Sequence, residues 1–179
     1  MKKLKSIIII TLIVTLLIIA QTGCGAKDPV SKTSYYFDTI CEITINDMSG
    51  MTEDTANAAI DNAFGMCSDY EKLLSKTIKG SEIYKINHAN GEPVKVSDDT
   101  IEVIKKGIYY GNLSGGLFDI TIGKVSDLWD FHSENPKVPK ASVIAEAIKS
   151  VNYKNILIKG NTVTLKEPKT EIDLGGIAK

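Results

Sequence analysis

Apolar and polar positions alternate with a period of two across residues 35–45, where Phe37, Thr39, Cys41, Ile43 and Ile45 share one face and Asp38, Glu42 and Thr44 take the other. The pattern predicts a first strand with one buried side. The period then lengthens to that of a helix. Ala56, Ala59, Ile60, Ala63, Phe64, Cys67, Tyr70 and Leu74 fall three and four apart, so a long amphipathic helix should run to about Ser75, with Thr52-Glu53-Asp54 capping and charging its start. Ser81 opens a short helix bearing Ile83 and Ile86, Asn90-Gly91 turns the chain, and residues 94–96 form a brief extended piece. Ser97 with Asp98 and Asp99 starts a helix through Ile101, Ile104 and Ile108. It should end near Leu113 at Gly115-Gly116, because paired glycines accept the left-handed backbone that closes helices.

From there the chain should continue as a strand carrying Asp119 between Phe118 and Ile120. A short helix or turn around Trp129 follows, then a helix bearing Ala141, Ile144, Ala145 and Ile148. Ile156-Leu157-Ile158 and Val163-Thr164-Leu165 flank Gly160-Asn161 as a hairpin. A last strand, residues 171–174, runs into Gly175-Gly176 and the first turn of a further helix. The expected class is α+β, a mixed sheet with packed helices, with no internal repeat.

The N-terminus obeys a different rule. Lys2, Lys3 and Lys5 precede an apolar run from Ile7 to Ala20 that only Thr11 and Thr15 interrupt. At ~1.5 Å per residue this run falls short of the roughly 30 Å hydrocarbon core, so residues 1–23 read as a signal peptide rather than a permanent span. Gly23-Cys24 resembles a bacterial lipobox, which would make Cys24 a lipidated residue holding an exported protein on the outer face of the cytoplasmic membrane. An ordinary cleavage site is the other reading. Residues 24–34 then form a small, polar tether and residues 35–179 the folded body.

Composition narrows the chemistry. The 179-residue chain is 43% hydrophobic, enough for one core. All 21 basic residues are lysines, so no arginine fork serves phosphate or carboxylate. A net charge of -1 and the lack of a basic stripe argue against nucleic acid as a partner. Cys41 and Cys67 read as separately buried thiols, although export would permit a disulfide. No Cys or His spacing suggests zinc, His88 lies in a loop with no nearby carboxylate or nucleophile in sequence, and His132 is assigned no catalytic partner.

Two stretches share one set of ingredients. Residues 114–123, Ser-Gly-Gly-Leu-Phe-Asp-Ile-Thr-Ile-Gly, and residues 171–179, Glu-Ile-Asp-Leu-Gly-Gly-Ile-Ala-Lys, each place an Asp beside paired glycines and an apolar run. Such glycines let backbone approach a ligand, and a glycine turn entering a helix start at Ile177 would offer N–H groups to an anion. A nucleophile elbow, a P-loop and a complete dinucleotide fingerprint are all absent from the sequence.

The first stretch, followed by Leu128-Trp129-Asp130-Phe131, resembles the SGGaFDiTvgPLvxlWgF signature of the ApbE family, and residues 173–179 resemble its DLGGIAKG signature. Phe37-Asp38-Thr39 aligns with the family's Met-Gly-Thr, and Ser81-Glu82-Ile83 through Asn87 with its SeixxxN segment. The resemblance implies a flavin transferase fold of the T-fold-related kind and an enzyme that, with magnesium, moves FMN from FAD to a threonine of an acceptor flavoprotein, releasing AMP. It also implies that Phe37, Thr77, Leu117, Phe118, Asp119, Asp173 and Lys179 contact the flavin nucleotide and that the Gly176 carbonyl ligates magnesium. Magnesium prefers oxygen ligands and offsets diphosphate charge, which suits that role. Phe37, Asp38, Thr77 and Lys124 depart from the family's usual residues. The family's remaining metal ligands and its histidine belong to a second half beyond residue 179, so the catalytic groups are expected there and this chain is expected to be the N-terminal part. An FAD pyrophosphatase and a flavin-binding lipoprotein without turnover are the alternative functions.

Overall fold

The computed structural model describes residues 28–131 and 133–178. The signal peptide, Cys24, His132 and Lys179 therefore lie outside the described residues. The described residues form two compact units, 28–34 with 42–62, and 35–41 with 63–131 and 133–178.

A hairpin opens the described chain. Strand β1 (Val30–Tyr36) pairs with β2 (Thr39–Ile45), where a single strand was expected. Its turn is Phe37-Asp38, with φ of 55° and 56°. Two consecutive left-handed residues make the primed turn that matches strand twist, normally announced by Asn-Gly or Asp-Gly. Phe-Asp carries no such signal, and the alternation passes through it unbroken. Strand β1 also begins inside the stretch that composition marks as a tether, because Val30 to Ser34 find a partner strand the local sequence does not reveal.

In the smaller unit, Ser31 donates to Glu42 at 2.9 Å, Lys32 pairs with Asp61 at 2.6 Å, and Met48, Ala56 and Ile60 are buried. Helix α1 (Glu53–Leu74) starts there, with Thr52 accepting from the Thr55 N–H at 3.2 Å. Ala56, Ile60, Phe64 and Leu74 of its expected stripe are buried, while Ala59 and Tyr70 are exposed.

The larger unit contains α2 (Glu82–Asn87), β3 (Val94–Lys95), α3 (Asp98–Leu113), α4 (Gly123–Ser126), a 3-10 turn (Asp127–Trp129), α5 (Ala141–Ile148), a second 3-10 turn (Tyr153–Asn155), β4 (Ile156–Lys159) and β5 (Thr162–Leu165). Ser81 and Ser97 cap α2 and α3 as expected. Antiparallel β3-β5-β4 places Val94 opposite Val163 and Ile158 opposite Val163 on the other side. Gly160, with φ of 57°, makes the tight turn between β4 and β5. Ile83, Ile86, Ile104, Ile120, Val163 and Ile172 form the centre of the core. The class is α+β, as expected, but among the described residues both sheets are antiparallel, and the parallel pairing is a single bridge between Ile122 and Glu171.

That bridge marks two corrections. Residues 117–122 and 171–174 are not strands. The Asp119 carboxylate takes the Thr121 N–H at 2.8 Å and the Tyr153 N–H at 2.9 Å, donors that a ladder would otherwise use, and folds the segment into a turn. Gly107 and Gly111 on α3 receive what flanks that turn. A Cβ on Gly107 would stand 2.6 Å from Ile120, and one on Gly111 2.9 Å from the Tyr153 ring.

Candidate functional site

The segment ahead of Asp173 is held on both sides without belonging to a sheet. Asn87 donates through Nδ2 to the Ile172 carbonyl at 2.9 Å and accepts the Ile172 N–H at 2.8 Å, so one amide side chain imitates a ladder pair. The Asp173 N–H donates to the Ile120 carbonyl at 2.8 Å. Beyond it the chain turns. Gly175 N–H donates to Asp173 Oδ1 at 2.9 Å, and the N–H groups of Ile177 and Ala178 donate to the Leu174 carbonyl. These three amides are spent inside the turn and so are not among the N–H groups that a glycine turn could present to an anion. Nor do these glycines need a left-handed backbone; they answer a crowding problem instead. A Cβ on Gly176 would meet the Phe118 ring at 3.2 Å, and one on Gly175 would meet Asp173 Oδ1 at 3.1 Å.

The end of α1 supplies the opposing wall. Ser75 Oγ accepts the N–H groups of Thr77 and Ile78 at 3.1 Å each, and Ser81 Oγ donates to the Ser75 carbonyl. The chain reverses here, exposing Thr77 and drawing Lys76 inward until its side chain is 16% exposed. Its ammonium pairs closely with Asp127, lies 3.3 Å from Asp173 Oδ2 and 3.9 Å from Glu171, and meets Ser126 Oγ at 3.4 Å. Ser126 Oγ in turn lies 3.0 Å from Asp173 Oδ2. Burial pulls the Lys76 ammonium down, but the Asp127 and Asp173 carboxylates outweigh it and raise its pKa above the ordinary lysine value. Burial likewise pushes Asp173 upward, yet the Gly175 N–H, Lys76 and Ser126 together leave it below the usual carboxylate value. Glu171 goes the other way, raised by burial and by Asp127 against the weaker pull of Lys76 and Lys124.

Two clefts lie on either side of this loop. One, of about 330 Å³, is lined by Phe37, Asp38, Glu71, Lys76, Thr77, Asp127, Asp173, Gly175 and Ala178 among others. The other, of about 370 Å³ and nearly all apolar, is lined by Tyr110, Leu113, Ser114, Phe118, Gly176 and Ile177. Of the residues expected to contact the nucleotide, Phe37, Thr77 and Asp173 share the first cleft, and Phe118 shares the second with Gly176. Leu117 is 95% exposed at the helix end. Asp119 lines neither cleft, and both of its oxygens accept protein hydrogen bonds.

Sequence reasoning did not single out Lys76, Ser126, Asp127 or Glu71. Glu71 Oε1 accepts the Phe37 N–H at 2.7 Å and so pins the hairpin tip at the cleft. Lys76 is one lysine among 21 in a polar break, and nothing local marks it. His88 is exposed, stacked on Tyr84 with ring centres 3.8 Å apart. Cys41 and Cys67 are free thiols and half-buried. Among the described residues no cluster of three or more His, Cys, Asp or Glu is placed to hold a metal. The Gly176 carbonyl belongs to an exposed turn, and one carbonyl does not fill an octahedral magnesium sphere, so the described residues alone do not compose that site.

Comparison with known proteins gives a consistent result. The FAD:protein FMN transferase of Treponema pallidum is 23% identical over 168 residues, which is 88% of this chain and 46% of that protein. The Vibrio cholerae protein of the same name is 34% identical over 109 residues, 59% of this chain and 33% of its own length. The ApbE protein of Thermotoga maritima superposes with a TM-score of 0.73 at 30% identity, over 84% of this chain and 48% of that one. The flavin transferase ApbE from Vibrio cholerae gives 0.72 at 27%, over 84% and 49%. The chain thus spans about half the length, or less, of these relatives. The model of the ApbE family matches residues 37–179, both glycine-bearing stretches included, and the chain belongs to that family.

Proposed function

We propose that this chain contributes the FAD-binding half of an FAD:protein FMN transferase. The observation that carries the reading is the loop at residues 173–178, part of the region matched by the family model, which serves as the common wall of one polar and one apolar cleft. FAD pairs an apolar flavin ring with a charged diphosphate, and two unlike clefts sharing a wall suit such a molecule. Phe37, Thr77, Phe118 and Asp173, which line the clefts, together with Leu117 and Lys179, are the proposed nucleotide contacts, while Asp119, which lines neither cleft, would support the site through the backbone it holds. In the reaction the acceptor threonine hydroxyl attacks the FMN-side phosphorus, and the bond from that phosphorus to the bridging oxygen breaks. AMP departs with the bridging oxygen, and the threonine proton passes to the leaving phosphate or to solvent.

Charge supports a counter-ion. Asp38, Glu71, Asp127 and Asp173 line the polar cleft against Lys76 alone, so a diphosphate would enter an acidic site. A divalent cation such as magnesium would offset that repulsion. Its ligands besides the Gly176 carbonyl would come from the diphosphate, water and groups outside the described residues. Cys24 would carry the lipid that holds the exported protein at the membrane, near a flavoprotein acceptor subunit of a membrane redox complex.

Because this half by itself is expected to lack turnover, the test mixes the protein, together with a family member's C-terminal half, with FAD, magnesium and a threonine-bearing acceptor. Flavinylated acceptor together with AMP is the expected outcome. FMN and AMP with no labelled acceptor would replace it with the FAD pyrophosphatase reading. Flavin quenching without any product would leave a binding lipoprotein, and no quenching would overturn the FAD site altogether. Incorporation of labelled palmitate, lost in Cys24→Ser, checks the anchor.

A further inference from the structure

We infer that Lys76 is a positioning residue that sets the conformation of the Asp173–Gly176 turn, acting through Asp173 rather than on the substrate. Glu171 and Asp173 are two apart in an extended segment and so project to the same side, where Asp127 joins them. Three carboxylates that close would repel one another. Lys76 stands between them, paired closely with Asp127, 3.3 Å from Asp173 Oδ2 and 3.9 Å from Glu171. It also lies 3.5 Å from the Gly123 carbonyl. The ammonium therefore faces more acceptors than it has protons, and little capacity is left over for a ligand phosphate.

What it holds is the orientation of Asp173. That carboxylate uses Oδ2 toward Lys76 and Ser126, and Oδ1 to accept the Gly175 N–H that shapes the turn. Without the ammonium, Asp173 would lose its charged partner while keeping Asp127 and Glu171 as neighbours, and the turn separating the two clefts would lose its anchor. The inference rests on the reading of those clefts as an FAD site, but the clasp itself can be measured without FAD.

The experiment uses the full chain as wild type, Lys76→Met, Lys76→Arg and, as a control on the exposed face of α1, Lys72→Met. Lys76→Met should weaken FAD binding, read by flavin quenching, about tenfold, and in any transferase assay should raise KM far more than it lowers kcat. Lys76→Arg, which keeps the charge, should restore affinity to within about threefold of wild type. Amide exchange at Gly175 and Ile177 should quicken about tenfold in Lys76→Met while Ile104 in the core stays unchanged. Lys72→Met should match wild type in each measurement. Unaltered exchange at the turn in Lys76→Met overturns the inference. If wild type itself binds no FAD, the functional reading fails, and turn exchange alone then upholds or overturns the clasp. Should Lys76→Met unfold globally, Lys76→Arg decides: native exchange and affinity uphold the role of the charge, and their loss overturns it.

Discussion

Asp119 and Asp173 stand in near-identical local chemistry, each beside paired glycines and an apolar run, yet the fold uses them in opposite ways. Asp119 accepts from Thr121 twice, at 2.8 Å and 2.6 Å, and from Tyr153 at 2.9 Å, and Thr121 passes the contact on by accepting the Asn152 N–H at 2.8 Å. This carboxylate is structural cement between residues 118–121 and 152–153. Asp173 takes one N–H from its own turn and turns its other oxygen to a half-buried lysine in an acidic cleft. A carboxylate surrounded by backbone donors fixes a fold, whereas one held among other charges remains available to shape a site.

The contrast can be broken at Asp119 first. Asp119→Ala should cost about 3 kcal/mol in urea denaturation, because it orphans two backbone N–H groups and a buried hydroxyl. A loss under about 1 kcal/mol would contradict the cementing role. Next comes the packing beneath it. Gly111→Ala pushes a methyl group to 2.9 Å from the Tyr153 ring and should cost about 2 kcal/mol by the same assay.

The charged cleft should respond to pH instead. Asp173 is held below its ordinary value of 3.8, so its stabilising share is present above that pH and is lost as pH falls through the depressed value. Lys76 is held above 10.5, so its share is full below that pH and fades as pH rises through the raised value. Urea midpoints measured from pH 9 to pH 12 should fall for wild type and show a shallower fall for Lys76→Met. Glu171 is raised above 4.5 because burial and Asp127 disfavour its charged form, so Glu171→Gln, which removes that charge, should leave stability at pH 7 unchanged or higher. The smallest effect belongs to Lys72, whose pair with Asp69 is exposed on both sides. Lys72→Ala should fall within about 0.5 kcal/mol of wild type.

The helices were legible in the sequence because their signals are local. Ser81 and Ser97 cap, Gly115 and Gly116 close α3 with φ of 65° and 88°, and the isoleucine spacing of α3 marks its buried face. The β4–β5 hairpin was legible for the same reason. The Phe37-Asp38 turn was not, since its residues deny the backbone they adopt. Residues 117–122 and 171–174 also misled, because their alternation fits a strand while their donors are taken by the Asp119 and Asn87 side chains.

The sequence by itself determined the α+β class, the helix boundaries, the family signatures and the two aspartates worth watching, all of which depend on neighbours a few residues apart. Tertiary structure alone decided which aspartate faces a cleft, that Lys76 gathers Asp127, Glu171 and Asp173, and that one loop divides a polar cleft from an apolar one. The charges around Lys76 lie 51, 95 and 97 positions along the chain from it. Electrostatic environment depends on distance through space, which only folding sets.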